Sequence, residues 1–308
     1  MDNELLNILN ISLGPEVVDY LNNDDVIEIY LNDDKKLWID TLSQGRKFTG
    51  LEIKEQDSKN VIFLIASAIN TEVNELKPIV SAEMPGTGNR FEGSLPPIVK
   101  SPTFNIRKKA IKIFSLREYV DNKALSEKQY DAICKAVKER KNIIVCGGTS
   151  SGKTTLCNAI LKEISLYNDR VVIIEDMQEL QCSCQDKVFL RTSDTVDIRD
   201  LLKSTLRRRP DRIIIGEIRD GAALNLLKAW NTGHPGGIST IHANSCLEAL
   251  GQLESYISEV SLQPQQKTIS RVVNLIINIK KEGTKRVISQ IIEVLGLDEK
   301  GNYQIKDI

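Results

Sequence analysis

The sequence predicts an α/β protein in two parts. A smaller N-terminal α+β domain covers residues 1–112 and a connector covers 113–125. Residues 126–308 form a domain built on a largely parallel, doubly wound sheet. Three observations carry this reading. Apolar runs at 142–146, 170–174 and 212–215 alternate with segments of helical period, and buried parallel strands read as continuous apolar runs of this kind. The first run leads directly into a complete G-x-x-x-x-G-K-[ST] phosphate loop, with a helical pattern after it. Before residue 110 the pattern is different: period-2 alternation is interrupted by Asn, Asp, Gly and Pro, as in antiparallel hairpins.

Taken in order, residues 1–22 read as helix, with Ile8, Leu9, Val17, Val18 and Leu21 on the apolar stripe and Gly14 and Pro15 interrupting it. The runs 27–31 and 37–39 flank Asn32, Asp33, Asp34 and Lys35 and predict a hairpin; 61–69 predicts a buried helix. Residues 84–109 read as strands separated by glycine- and proline-rich turns. Helical spacing resumes at 127–140 through Tyr130, Ile133, Cys134 and Val137. Past the phosphate loop come a helix to 164, the strand 170–174, a short strand at 188–190, a helix at 196–207 and the strand 212–217. A helix at 221–230, a glycine-rich segment at 233–244, helices at 246–260 and 265–271, and strands near 275, 287–294 and 303–305 complete the chain.

Composition narrows the function classes. Forty-one basic and forty-two acidic side chains give a net charge of −1, so no global field draws the chain to nucleic acid or anionic lipid, and no sequence-specific nucleic-acid binding is expected. The acidic N-terminus lacks the pattern of a secretory signal, and the apolar runs at 61–66 and 272–279 are too short or interrupted to cross a bilayer. The expectation is a cytoplasmic protein that meets a membrane only peripherally. Six cysteines without C-x-x-C pairs read as reduced thiols rather than a zinc site.

The chemistry centres on Gly147, Gly148, Thr149, Ser150, Ser151, Gly152, Lys153, Thr154 and Thr155. A bound di- or triphosphate must exchange its water for fixed donors. The glycines are expected to take positive φ, turning backbone N–H groups inward at the positive end of a helix dipole. Lys153 would bridge β- and γ-phosphates and Thr154 would hold Mg²⁺ directly. Acids that end apolar strands face the ligand crevice of such a sheet. Glu217 is the first choice for the carboxylate that orients an attacking water; Glu175 is the second, as base or as a magnesium ligand through water. Both histidines of the chain, His234 and His242, fall within 233–244, which places both near the chemistry. In the first domain Arg90, Arg107, Lys108 and Lys109 read either as a solvated face or as a source of an arginine for the nucleotide phosphates.

The order of the phosphate loop, Ile174-Glu175-Asp176-Met177-Gln178-Glu179-Leu180, Arg209-Pro210-Asp211-Arg212-Ile213-Ile214-Ile215-Gly216-Glu217-Ile218-Arg219 and the histidine segment resembles the Walker A, aspartate, Walker B and histidine boxes of the secretion traffic ATPases. Trp230 to His234 and Gly93 to Pro97 further resemble the TrbB-type conjugal transfer branch, related to the VirB-type ATPases of type IV secretion. The resemblance implies a RecA-like P-loop NTPase core with a smaller N-terminal domain, use of ATP and Mg²⁺, a homohexameric ring, and docking at the cytoplasmic face of an inner-membrane secretion or conjugation complex. It also implies that Arg90 and Arg107 contact nucleotide phosphates and that His242 senses the γ-phosphate. Gly216 stands where many P-loop ATPases have an aspartate, as is usual in this family, and the C-x-x-C pairs of many type II relatives are missing.

The function expected is ATP hydrolysis that powers conjugative DNA transfer or pilus assembly. Three other readings stay open. A pilus-retraction motor would share the same core, and in a nucleotide-gated scaffold hydrolysis would be incidental. A helicase-like motor would need an aromatic and basic strand-binding track that the sequence does not display.

Overall fold

The computed structural model describes residues 3–109, 113–193, 195–283 and 285–308. The domain boundary expected at 112 and the first two residues of the expected N-terminal helix lie outside them. The chain forms two compact units, residues 1–111 and 112–308.

In the first unit, α1 (Asn3–Leu13) and α2 (Pro15–Asn22) are separated at Gly14, whose φ of 83° no ordinary side chain favours, and Pro15 supplies a φ suited to the new helix start. The strands are β1 (Val26–Leu31), β2 (Lys36–Thr41), β3 (Gly45–Glu52), β4 (Ile79–Glu83), β5 (Arg90–Ser94) and β6 (Thr103–Arg107), and α3 (Glu55–Ala68) lies between β3 and β4 in sequence. They form one antiparallel sheet in the order β3-β2-β1-β6-β5-β4. Alternation sends Ile29, Leu31, Leu37, Ile39, Phe91, Phe104 and Ile106 to one face, where they pack with Val61, Ile62 and Ile65 of α3. On the other face Tyr30, Trp38 and Phe48 are cross-strand neighbours.

The second unit contains α4 (Leu116–Asp121), α5 (Glu127–Lys138), β7 (Ile143–Cys146), α6 (Lys153–Ile164), β8 (Val171–Glu175), β9 (Lys187–Arg191), α7 (Ile198–Thr205), β10 (Arg212–Ile215), α8 (Ala222–Asn231), β11 (Ile238–Ile241), α9 (Cys246–Ser258), α10 (Gln266–Val272), β12 (Leu275–Glu282), β13 (Lys285–Leu297) and β14 (Tyr303–Asp307). The sheet order is β14-β13-β12-β7-β11-β10-β8-β9, parallel from β12 to β9 and closed on one side by the antiparallel β13 and β14. Ile143 and Val145 of β7 enter one apolar cluster with α4, α5 and α6, whereas Ile144 and Cys146 enter another with α7 to α10. Both faces of the strand are therefore dry. This is the α/β, RecA-like P-loop core expected from the sequence.

Residues 113–125, expected as a connector, carry α4. Ser115 accepts the Glu118 N–H at 3.2 Å while the Glu118 carboxylate accepts the Ser115 N–H at 2.8 Å, a reciprocal cap, and Leu116, Tyr119 and Leu125 are buried in the second unit. The stretch is integral to that core.

Candidate active site

Sheet order decides which loops meet. With β11 between β7 and β10, and β8 beyond β10, the C-terminal strand ends run in the order phosphate loop, His242, Glu217, Glu175-Asp176. Register refines this. Ile215 pairs with Ile174, so Gly216 and Glu217 follow one strand beside Glu175 and Asp176 on the next.

Within the phosphate loop Gly152 takes φ 100° at the start of α6, and the other positive φ is that of Ser150, at 57°. Gly147 and Gly148 do not adopt positive φ, contrary to expectation. Gly147 is required by space instead: a Cβ there would stand 2.3 Å from the Ile279 carbonyl oxygen and 2.5 Å from Ser151 Oγ. At Gly148 a Cβ would meet nothing within 4 Å. Thr149 lies in the loop and Thr155 in the first turn of α6. The Lys153 ammonium donates to the carbonyls of Gly147 and Gly148, each at 3.0 Å, and reaches His242 Nδ1 at 3.3 Å.

His242 links loop and carboxylate. Its Nε2 lies 2.7 Å from Glu217 Oε1. Burial, then the charge of Lys153, holds the imidazole below its ordinary pKa, Arg219 adding to the effect and Glu217 opposing it. A neutral ring with its proton on Nε2 satisfies both contacts, since Nδ1 then accepts from Lys153 and Nε2–H donates to Glu217. The second Glu217 oxygen, Oε2, accepts from Arg219 Nε at 2.5 Å, and Arg219 Nη1 lies 3.7 Å from Asp176 Oδ2. Thr240 Oγ1 donates to the Gly216 carbonyl at 2.7 Å and Ile218 N–H to the Thr240 carbonyl at 2.9 Å, fixing the backbone on either side of Glu217.

Glu175 is buried, and its Oε1 accepts the N–H groups of Glu179 at 3.1 Å and Leu180 at 2.9 Å. This folds residues 176–180 back toward α6, where Glu179 Oε2 accepts from Thr154 Oγ1 at 3.3 Å. Glu179 was missed as a site residue. Its signal lay three residues beyond Asp176 in a stretch already noted, but nothing in the spacing said that the chain turns back there.

His234 does not join the site. Its Nδ1 pairs with the Pro210 carbonyl at 2.8 Å, and both residues precede their strands, at the opposite edge of the sheet from His242. Arg90 begins β5 and Arg107 ends β6, and the two are direct cross-strand partners on the face of the first unit's sheet away from its core. Glu28 is opposite Arg107, and Glu83 opposite Arg90.

The residues fit a magnesium-bound nucleoside triphosphate. The twelve-residue α6 presents its N-terminus to the loop, Lys153 supplies a cation and Thr154 a hydroxyl. Among the described residues the buried Ser151 Oγ has no hydrogen-bond partner, and it is a polar group that a phosphate oxygen would satisfy.

A family model described as type II/IV secretion system protein matches residues 68–289, most of the chain. The chain belongs to that family. It is an ATP-hydrolysing secretion traffic ATPase. Conjugal transfer protein TrbB of Rhizobium radiobacter is 47% identical over 294 residues, covering 95% of this chain and 91% of that one. VirB11 of Bartonella quintana is 29% identical, covering 84% and 83%. Among solved structures, the Legionella pneumophila ATPase DotB matches with TM-score 0.66 at 20% identity, covering 92% of this chain and 80% of that one. The pilus retraction motor PilT with bound ADP matches with TM-score 0.66 at 20% identity, covering 95% and 82%. Among the described residues no helix is long and apolar enough to cross a membrane.

Proposed function

We propose that this secretion ATPase works as a homohexameric ring at the cytoplasmic face of the inner membrane and powers conjugative DNA transfer. The likeness to TrbB over nearly the full length of both chains supports the conjugative role, and the absence of a membrane-spanning helix among the described residues is compatible with peripheral docking.

The observation that carries the catalytic reading is the continuous contact from Lys153 through His242 to Glu217. A γ-phosphate competes for the Lys153 ammonium, and its arrival is felt at His242 and passed to the carboxylate. Glu217 then orients the attacking water and accepts its proton, while Lys153 and the α6 N-terminus stabilise charge on the phosphate oxygens. Bound Mg²⁺ would screen the β- and γ-phosphates, held by Thr154 directly and by Glu175 or Glu179 through water. Arg90 and Arg107, cross-strand neighbours in the first unit, are the arginines proposed to contact the nucleotide phosphates, a role supported by the family resemblance.

Glu217→Gln tests the assignment. The variant should bind ATP as the wild type does and lose turnover by about a hundredfold or more. Turnover that survives the change would move the role of base to Glu175. Mass determination alongside the assay tests the ring, whose activity should rise with assembly into six subunits.

A further inference from the structure

Glu217 is held at both oxygens, yet the two holders differ in kind. His242 is neutral and belongs to the line that leads to the phosphate loop, whereas Arg219 carries a full charge and comes from the other side. A guanidinium on Oε2 at 2.5 Å neutralises the charge that a water-orienting carboxylate needs. Removing it requires somewhere for the arginine to go.

The structure supplies that place. Asp176 sits beside Glu217 on the neighbouring strand end and is itself anchored, its Oδ1 accepting from Thr192 Oγ1 at 3.1 Å. Its Oδ2 faces Arg219 Nη1 at 3.7 Å, a second seat about one side-chain adjustment away. Arg219 also borders a cavity of about 270 Å³ lined by Asp176, Asp197, Glu217 and Asp220, so the swing meets open space rather than packed core. The other arginine at this cavity, Arg199, already pairs with the α7 cap residue Asp197 at 2.8 Å. More than half of the Arg219 side chain is exposed, against 18% for Glu217, which makes the arginine the freer partner.

We propose that Arg219 is a latch on the catalytic carboxylate, with Asp176 as its second seat: on Glu217 it masks the base, and on Asp176 it releases it. Arg219 and Asp176 are thus positioning residues for hydrolysis that act through Glu217. The proposal rests on the reading of Glu217 as the water-orienting group.

The test is a double-mutant cycle on steady-state ATP hydrolysis of the full chain, using Arg219→Gln, Asp176→Asn and the combination, with Arg219→Lys and Glu217→Gln as controls. Arg219→Gln should raise basal kcat severalfold with KM unchanged, and Arg219→Lys should restore the wild-type rate. Asp176→Asn should lower kcat by about tenfold with KM unchanged, because the latch has lost its second seat. In the Arg219→Gln background the same Asp176→Asn change should have no effect, since no latch is left to seat. An equal loss from Asp176→Asn in both backgrounds, or a kcat for Arg219→Gln at or below wild type, would overturn the latch. Full turnover in Glu217→Gln would instead remove the reading on which it rests, so the two failures are distinguishable. Circular dichroism of each variant separates misfolding from either outcome.

Discussion

The side chain of Glu175 lies over Gly216: a Cβ built on that glycine would stand 2.8 Å from Glu175 Cγ and 3.2 Å from its Oε1. The glycine that replaces the aspartate of other P-loop ATPases therefore makes room for a carboxylate from the neighbouring strand. Gly216→Asp should displace Glu175, free the N–H groups of Glu179 and Leu180 and cost about 2 kcal/mol. Chemical denaturation and the ATPase assay should both register it, with hydrolysis lost even where the variant is folded.

Gly147 and Gly148 are adjacent in the motif but constrained differently. Gly147→Ala drives a methyl into the Ile279 carbonyl at 2.3 Å and should destabilise the second unit by about 3 kcal/mol. Gly148→Ala meets nothing within 4 Å and should stay within about 0.5 kcal/mol of wild type. Urea midpoints of the two variants compare them directly.

Thr154 and Glu179 form one hydrogen-bonded pair at the place proposed for the metal. Thr154→Ala and Glu179→Gln should each raise the Mg²⁺ concentration for half-maximal hydrolysis by about tenfold. A magnesium titration at saturating ATP reads this, and an unchanged requirement in Glu179→Gln would remove Glu179 from the metal's surroundings.

His242 gives the protein a pH signature. Its folded pKa lies below the unfolded value of about 6.5, so the unfolded chain binds the proton more readily. Its contribution to stability is complete above that value and is lost as pH falls below it toward the folded pKa. Protonation also puts an N–H on Nδ1, facing the Lys153 ammonium. Denaturation midpoints of wild type should fall more steeply than those of His242→Gln as pH is lowered from about 7 to 5.5.

Much of the second unit was legible because its strands are buried on both faces and read as unbroken apolar runs ending in chemistry-bearing residues, as at Ile174-Glu175 and Ile215-Gly216-Glu217. The edge strand β3 was not, since Gly45–Glu52 has no fully buried residue and so no apolar period to detect. The helix α4 was signalled by the Ser115 and Glu118 cap but lies in a segment whose charges suggested a connector. Motif spacing pointed to Lys153 and Glu217, and the family resemblance singled out His242. The spacing of the two histidines alone could not separate His242 from His234, because which end of β11 faces the site depends on sheet order. The seat of Arg219 between two carboxylates arises likewise from the β10 and β8 register.

The two tryptophans fall one to each unit. Trp230 is buried in the second, its indole N–H donating to the Ile213 carbonyl at 3.0 Å, while Trp38 lies half-buried in the first with Phe48 at a ring-centroid distance of 5.5 Å. The protein thus carries a separate optical reporter in each folding unit. Trp230, the more buried of the two, is expected to emit at the shorter wavelength. Trp38→Phe would leave a single-probe protein in which melting of the catalytic half is followed alone.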